Sequence, residues 1–278
     1  MTAVAATHAP RERMLSGVPG TERRLDVAGV PTAVLEAGDG PPLVLLHGGI
    51  ECGGPIWAPV VGRLAEHHRV VVPDLPGLGE SAPVDRLDAA TFAAWFTALL
   101  QSTCHARPVV VAHSLGGSLA ARFATERGAL LERLVIYGAP GVGRYRMPLG
   151  LRATAIRFAL RPTERNAERF DRWAFWDLDR VRAHDPDWFA AFGADSLARA
   201  RVPHVKRTMR RLIQIGTKPV PGLERVEATL VWGRHDRFVP LAPAESASAR
   251  LGWPLHVIED AGHVPHIEQS DAFLEVLS

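Results

Sequence analysis

The chain has 278 residues, 47 % of them hydrophobic and 22 % charged, with a net charge of +2. Those values belong to an ordinary globular protein that can bury about three quarters of its unfolded surface. Two cysteines, Cys52 and Cys104, make neither a disulfide framework nor a zinc set.

No run reaches the ~18 apolar residues of a membrane span. Residues 1–10 lack the charged start and long apolar block of a signal peptide, so cytoplasmic residence is expected. The net charge hides an asymmetry. Residues 141–220 hold 17 Lys+Arg and 8 Asp+Glu, a net of +9, whereas the rest holds 15 and 22, a net of −7. Thirty of the 32 basic residues are arginine. Compositional bias accounts for this first; steering of anionic substrates is the functional alternative. No basic helix with base-reading character appears, so nucleic acid is not an expected partner.

Residues 1–20 read as a flexible arm. Two strand-like segments follow, near Arg24–Val27 and Thr32–Leu35, split by Gly29-Val30-Pro31. Pro42-Leu43-Val44-Leu45-Leu46 is a buried-strand run that ends in His47-Gly48-Gly49-Ile50. Paired glycines let backbone N–H groups approach a ligand closely. The Gly49 N–H is therefore assigned as an oxyanion donor, with Ile50 as its substitute, and His47 as a loop brace. Cys52 lies three residues further on and is given no chemistry. Ile56, Val60, Val61 and Leu64 fall on one helical face. His68–Pro73 is a second buried strand. Asp88 caps a helix whose core face is Phe92, Trp95, Phe96 and Leu99.

Val109-Val110-Val111-Ala112-His113-Ser114-Leu115-Gly116-Gly117 is the most informative stretch. An apolar run ends on Ser114, small residues follow, and a helical pattern starts at once. A sharp strand-to-helix turn can hold a serine as an exposed, strained nucleophile. Close approach of strand to helix requires small residues two before and two after it, and these are Ala112 and Gly116. The new helix aims free N–H groups and its positive end at the reacting centre, which makes the Leu115 N–H the second oxyanion donor.

Leu134–Tyr137 is a further strand. From about residue 143 to 218 the pattern is helical, with breaks at Pro162, Pro186 and Pro203, and with Asp185 capping a helix that opens on Pro186. Phe170, Trp173 and Trp176 recur every three residues, and Trp188, Phe189 and Phe192 form a second aromatic cluster. Strand character returns at Val226–Trp232, and the loop beyond it carries Asp236. Leu255–Ile258 leads to His263 behind Gly262, with His266 as a competing base. Ser270–Leu277 is the last helix. Strands alternating with helices indicate a mostly parallel sheet.

Ser114, Asp236 and His263 occur in that order at three strand ends, with the Gly48-Gly49 loop ahead of them. Together with Asp74-Leu75-Pro76-Gly77-Leu78-Gly79-Glu80-Ser81 and Gly262-His263-Val264-Pro265-His266-Ile267-Glu268, they resemble the α/β-hydrolase fold superfamily, of the capped serine-esterase type. The resemblance implies an α/β fold with a mostly parallel eight-stranded sheet over residues 21–142 and 219–278, and a helical cap over 143–218. It implies a carboxylic ester as small-molecule substrate, with Ser114 as nucleophile, His263 as base, Asp236 as its orienting acid, and Gly49 and Leu115 as the oxyanion hole. No metal or organic cofactor is implied. The Asp74 segment is expected to be structural. Carbon–carbon bond hydrolysis of the meta-cleavage type is the alternative. That subgroup usually has methionine after the nucleophile and tryptophan after the histidine, and here those positions are Leu115 and Val264. A hydrolase-fold ligand receptor with slow turnover is a further alternative. Nothing in the sequence sets the oligomeric state.

Overall fold

In the computed structural model, which describes residues 9–49 and 52–277, one eight-stranded sheet runs through the molecule. Its strands are β1 (Thr21–Val27), β2 (Val30–Ala37), β3 (Pro42–Leu46), β4 (Arg69–Pro73), β5 (Val109–His113), β6 (Arg133–Tyr137), β7 (Thr229–Gly233) and β8 (Leu255–Ile258). They lie in the order β1-β2-β4-β3-β5-β6-β7-β8. β2 is antiparallel to β1 and β4, and every other pairing is parallel. The β1–β2 turn is tighter than expected. Ala28 and Gly29 alone make it, with φ of 52° and 78°, the two positive values that a two-residue hairpin of the right twist demands. Val30 and Pro31 belong to β2.

The central strands are valine-rich because helices cover both faces. Alternate side chains divide between two cores. Val44, Leu46, Val110, Ala112, Leu134, Ile136 and Trp232 face one. There they meet Phe92, Trp95, Phe96 and Leu99 of α2 (Ala89–Thr103) and the inner face of α3 (Ser114–Arg127). Asp88 caps α2, accepting from the Thr91 N–H at 2.9 Å. Leu43, Leu45, Val111, Val135, Tyr137 and Val231 face the other, with Val60, Val61 and Leu64 of α1 (Ala58–Leu64).

Five helices stand between β6 and β7: α4 (Leu149–Leu160), α5 (Glu164–Ala174), α6 (Leu178–His184), α7 (Pro186–Arg199) and α8 (Pro203–Gly216). The three prolines act as read, since α4 stops before Pro162 and α7 and α8 open on Pro186 and Pro203. Asp185 caps α7 by accepting from the Trp188 N–H at 2.9 Å. A further break at residues 175–177 has no proline behind it. Asp177 caps α6, and Trp176 leaves the helical face shared with Phe170 to stack on His235 at 3.7 Å.

After α9 (Ala242–Leu251) the chain ends in two short helices, α10 (Pro265–Glu268) and α11 (Ser270–Glu275), rather than one. The flexible arm expected over residues 1–20 is, in its described part, a helical turn over residues 9–14 that docks on the core. Met14 is buried there. So is Arg11, which reaches Asp74 at 2.9 Å and pairs with Glu22, and a buried guanidinium is tolerated only with such partners. Among the described residues no helix is long and apolar enough to cross a membrane.

Candidate active site

Parallel pairing sets Leu46 beside Ala112, His113 beside Tyr137, and Gly233 beside Ile258. The carboxyl ends of β3, β5, β6, β7 and β8 thus reach one edge, where ligands bind in open parallel sheets. Ser114 stands at the end of β5 with φ of 52°, one of three described non-glycine residues with positive φ. Such strain costs about 1–3 kcal/mol and persists only where the surroundings enforce it. Here they do. A side chain at Gly116 would meet the His47 carbonyl, and one at Gly117 would lie 2.8 Å from the Ala112 carbonyl, so α3 can sit this close to β3 and β5 only with glycine at both places.

Three distant side chains meet at this edge. His263 Nε2 lies 2.9 Å from Ser114 Oγ, and its Nδ1 lies 2.8 Å from Asp236 Oδ2. With Nδ1–H donating to the carboxylate, Nε2 faces the hydroxyl as an acceptor. The other Asp236 oxygen accepts from the Phe238 and Val239 N–H groups at 2.8 and 2.9 Å, which locks the carboxylate in place. All three residues are buried. The Leu115 N–H belongs to the first turn of α3, where backbone donors have no partner within the helix. Gly49 packs against the Leu115 side chain, since a Cβ at Gly49 would fall 2.6 Å from Leu115 Cδ1. Ile50, the substitute donor, lies outside the described residues.

The competing histidines have other partners. His266 Nδ1 accepts from the Tyr137 hydroxyl at 3.0 Å and Nε2 lies 3.2 Å from the Ile56 carbonyl. Burial pushes its pKa down to about 3, so it stays neutral. His47 spans its loop, with Nδ1 on the Gly48 carbonyl and Nε2 accepting from the Leu75 N–H, each at 2.8 Å. Burial lowers its pKa as well. Asp74 accepts from the Gly54 and Glu80 N–H groups and holds its loop, as a structural residue would.

Several residues that shape the site escaped the sequence reading. His113 donates from Nε2 to the His263 carbonyl at 3.0 Å and stacks on Tyr137; burial first, then the neighbouring histidines, drives its pKa well down. Phe238 stacks on the His263 ring at 4.9 Å and 14°. Gly138, at φ of 58°, also lies against that ring. Glu268 accepts from the N–H groups of Gly262, Trp176 and Asp177, so it ties the histidine loop to the inserted helices. Burial raises its pKa to about 6. Apart from the bond between Glu268 and Gly262, six residues apart, these contacts join segments far apart in the chain and have no local signal.

Ser114 and His263 open into a cavity of about 120 Å³. Its walls include Leu115, Tyr145, Leu151, Phe158, Phe170, Phe175, Phe192, Met209 and Phe238, so the inserted helices roof it. Apart from histidines, Asp171 is the one ionisable acid or base among the described lining residues besides the Tyr145 phenol, and no lysine or arginine is among them. Of the aromatics singled out in the sequence, Phe170 and Phe192 reach the cavity. Trp173 packs near Gly150, and Trp188 and Phe189 are buried without lining it. Cys52 is buried outside it.

A model of the alpha/beta hydrolase family matches residues 43–276, and the chain belongs to that family. It is 30 % identical to an uncharacterized protein of Mycobacterium tuberculosis over 93 % of this chain and 80 % of that one. It is 26 % identical to a 2-hydroxy-6-oxo-2,4-heptadienoate hydrolase of Pseudomonas putida over 92 % of this chain and 94 % of that one. Among solved structures, the carboxylesterase CesB of Bacillus subtilis superposes with a TM-score of 0.79 at 19 % identity, covering 100 % of this chain and 98 % of that one. That likeness concerns the fold alone.

Proposed function

We propose that the protein is a serine hydrolase that cleaves uncharged carboxylic esters through an acyl-enzyme intermediate. The observation that carries this reading is the unbroken hydrogen-bonded chain from Asp236 through His263 to Ser114 at the floor of an apolar cavity. In this mechanism Ser114 Oγ attacks the ester carbonyl while its proton passes to His263 Nε2. Asp236 keeps the imidazole in the tautomer that can accept that proton and stabilises the charged ring. The Leu115 and Gly49 N–H groups hold the oxyanion, and losing one such donor costs about 10²–10³ in rate. His263 returns the proton to the leaving alkoxide. It then activates water, which attacks the acyl carbon and releases the acid and Ser114.

The cavity argues for the substrate class. At about 120 Å³ it is a little smaller than the ~150 Å³ apolar cavity that takes up benzene. An acyl group of roughly benzene size or less fits, with the helical insertion as its cap. Carbon–carbon hydrolysis remains the second reading, favoured by the 26 % identical dienoate hydrolase relative. A dienoate carries a carboxylate, which needs a cationic partner when buried, and the described lining residues include neither lysine nor arginine.

The test is steady-state turnover of p-nitrophenyl esters of rising chain length, alongside a meta-cleavage dienoate. Multiple turnovers on short and medium esters, with Ser114→Ala lowered by at least roughly 10³-fold and blind to fluorophosphonate, are expected. Faster turnover of the dienoate than of every ester would replace this reading with the second. A single stoichiometric burst without a steady state would replace it with a slow ligand receptor.

A further inference from the structure

Helix α4 is apolar on two opposite sides. Its inner side, Leu151, Ala155 and Phe158, lines the cavity. Its outer side carries Leu149, Ile156 and Leu160, which are 82 %, 50 % and 75 % exposed. With Ala153 these three fall within about 60° of one another on a helical projection, so they form one straight stripe. Scattered exposed leucines mean little, but a stripe of them on one helix marks a contact surface.

The charge beside the stripe is one-sided. Residues 141–163 contain Arg144, Arg146, Arg152, Arg157 and Arg161 and no acidic residue. Arg152 flanks the stripe on one side and Arg157 and Arg161 flank it on the other. All five are exposed, and none forms an ion pair among the described residues. Elsewhere on the inserted helices arginines do find carboxylates, as Arg172 does with Glu168 at 2.8 Å and Arg199 with Glu80 at 2.6 Å. The cluster around α4 is thus left uncompensated.

We infer that the outer face of α4 docks on an anionic lipid surface, with Leu149, Ile156 and Leu160 in the acyl boundary and the arginines among the headgroups. The outer side of α4 alone, a leucine stripe bordered by arginines, matches the lipid-facing side of an in-plane interfacial helix, while its inner side is taken up by the cavity. Charge complementarity decides the occupant. A second copy meeting this face about a two-fold axis would set Arg152, Arg157 and Arg161 against their own copies. Residues 1–8 carry no acid with which to cover it. An anionic leaflet supplies both the negative charge and the apolar layer. The inference rests on this surface alone and not on the chemistry of the cavity behind it.

Co-sedimentation with vesicles of phosphatidylcholine, with and without one part in three phosphatidylglycerol, tests it. Binding to the anionic vesicles only is expected, and it should fall steeply toward about 0.5 M salt. Each arginine near such a leaflet contributes about fivefold to partitioning, so Arg152→Gln, Arg157→Gln and Arg161→Gln together should weaken binding about a hundredfold. Leu149→Gln, Ile156→Gln and Leu160→Gln together should abolish it. None of these six residues lines the cavity, so unchanged thermal unfolding and soluble-ester turnover show that both variants remain folded. No binding to the anionic vesicles at low salt, equal binding to neutral ones, or binding unaffected by either variant would overturn the inference. A dimer in sedimentation velocity that the glutamine-for-leucine variant dissolves would overturn it in favour of a second copy.

Discussion

Replacing Gly138 by alanine is expected to disable the site without altering any reacting group. Gly138 follows β6 with φ of 58°, a conformation that costs a non-glycine residue about 1–2 kcal/mol. An alanine Cβ there would lie 2.8 Å from His263 Cε1 and 2.9 Å from Nδ1, where ordinary contact begins at 3.4 Å. The ring would have to retreat by about half an ångström, and every direction is occupied. Phe238 stacks on it at 4.9 Å, Asp236 holds Nδ1, the His263 N–H donates to the Ala174 carbonyl at 2.7 Å, and its carbonyl accepts from His113. Movement therefore comes out of the 2.8 and 2.9 Å bonds to Asp236 and Ser114. A misplacement on the order of 1 Å costs about 10² in rate, so half of that, with the Asp236 contact also weakened, gives a kcat loss of about 10- to 100-fold. KM should stay within about threefold because, of the cavity lining, only the His263 ring is displaced. Tm should fall by about 2–4 °C from the backbone strain. Ester turnover, fluorophosphonate labelling rate and thermal unfolding measure all three. A variant whose Tm falls as expected but whose kcat stays within about twofold of the parent would refute the reasoning, since His263 would then not need the position it holds here.

Asp236→Asn should keep the fold, as an amide oxygen can still accept from Phe238 and Val239, yet lower kcat by about 10²–10⁴ by favouring the wrong histidine tautomer. Gly116→Ala should lose both stability and labelling, because its Cβ would press α3 away from the His47 carbonyl, and a melting curve alongside a labelling assay reads both. His266 has its folded pKa pushed from 6.5 to about 3 by burial. Its neutral form therefore contributes stability that is complete above pH 6.5 and lost as pH falls toward 3, at about 1.4 kcal/mol per pH unit. Urea unfolding should show His266→Gln losing about 2 kcal/mol less than the parent between pH 6.5 and pH 5; equal losses would show that His266 is not held neutral.

Much of the sheet was legible because its strands advertise themselves locally. β4 and β5 are runs of valine bounded by turn residues, and Asp88 and Asp185 each precede a helix that they cap. The same local logic failed where a tertiary partner ends an element. Nothing in Phe170, Trp173 and Trp176 reveals that the helix stops between the second and third. The stop is enforced by Glu268, almost a hundred residues later, taking the N–H groups of Trp176 and Asp177. The docking of residues 9–14 was hidden in a similar way. Arg11 looks like any solvated arginine until Asp74 and Glu22 stand beside it.

The groups proposed to react could be read ahead of their surroundings for a related reason. A nucleophile on a tight turn constrains its own neighbours in sequence, so Ala112, Ser114 and Gly116 carry their meaning within five residues. The groups that aim His263 are constrained only across the fold. Gly138 is glycine because a ring borne on another loop lies against it, and Phe238 is aromatic because it stacks on that ring. His113 is held neutral and donates to the His263 carbonyl. The precision of the site therefore depends on two layers with different origins. One is a strained turn encoded locally, and the other is a clamp around an imidazole that exists only once β5, β6, β7 and β8 have paired in register. A substitution in the second layer can leave every reacting group in place and still remove the alignment, and the Gly138→Ala experiment separates the two.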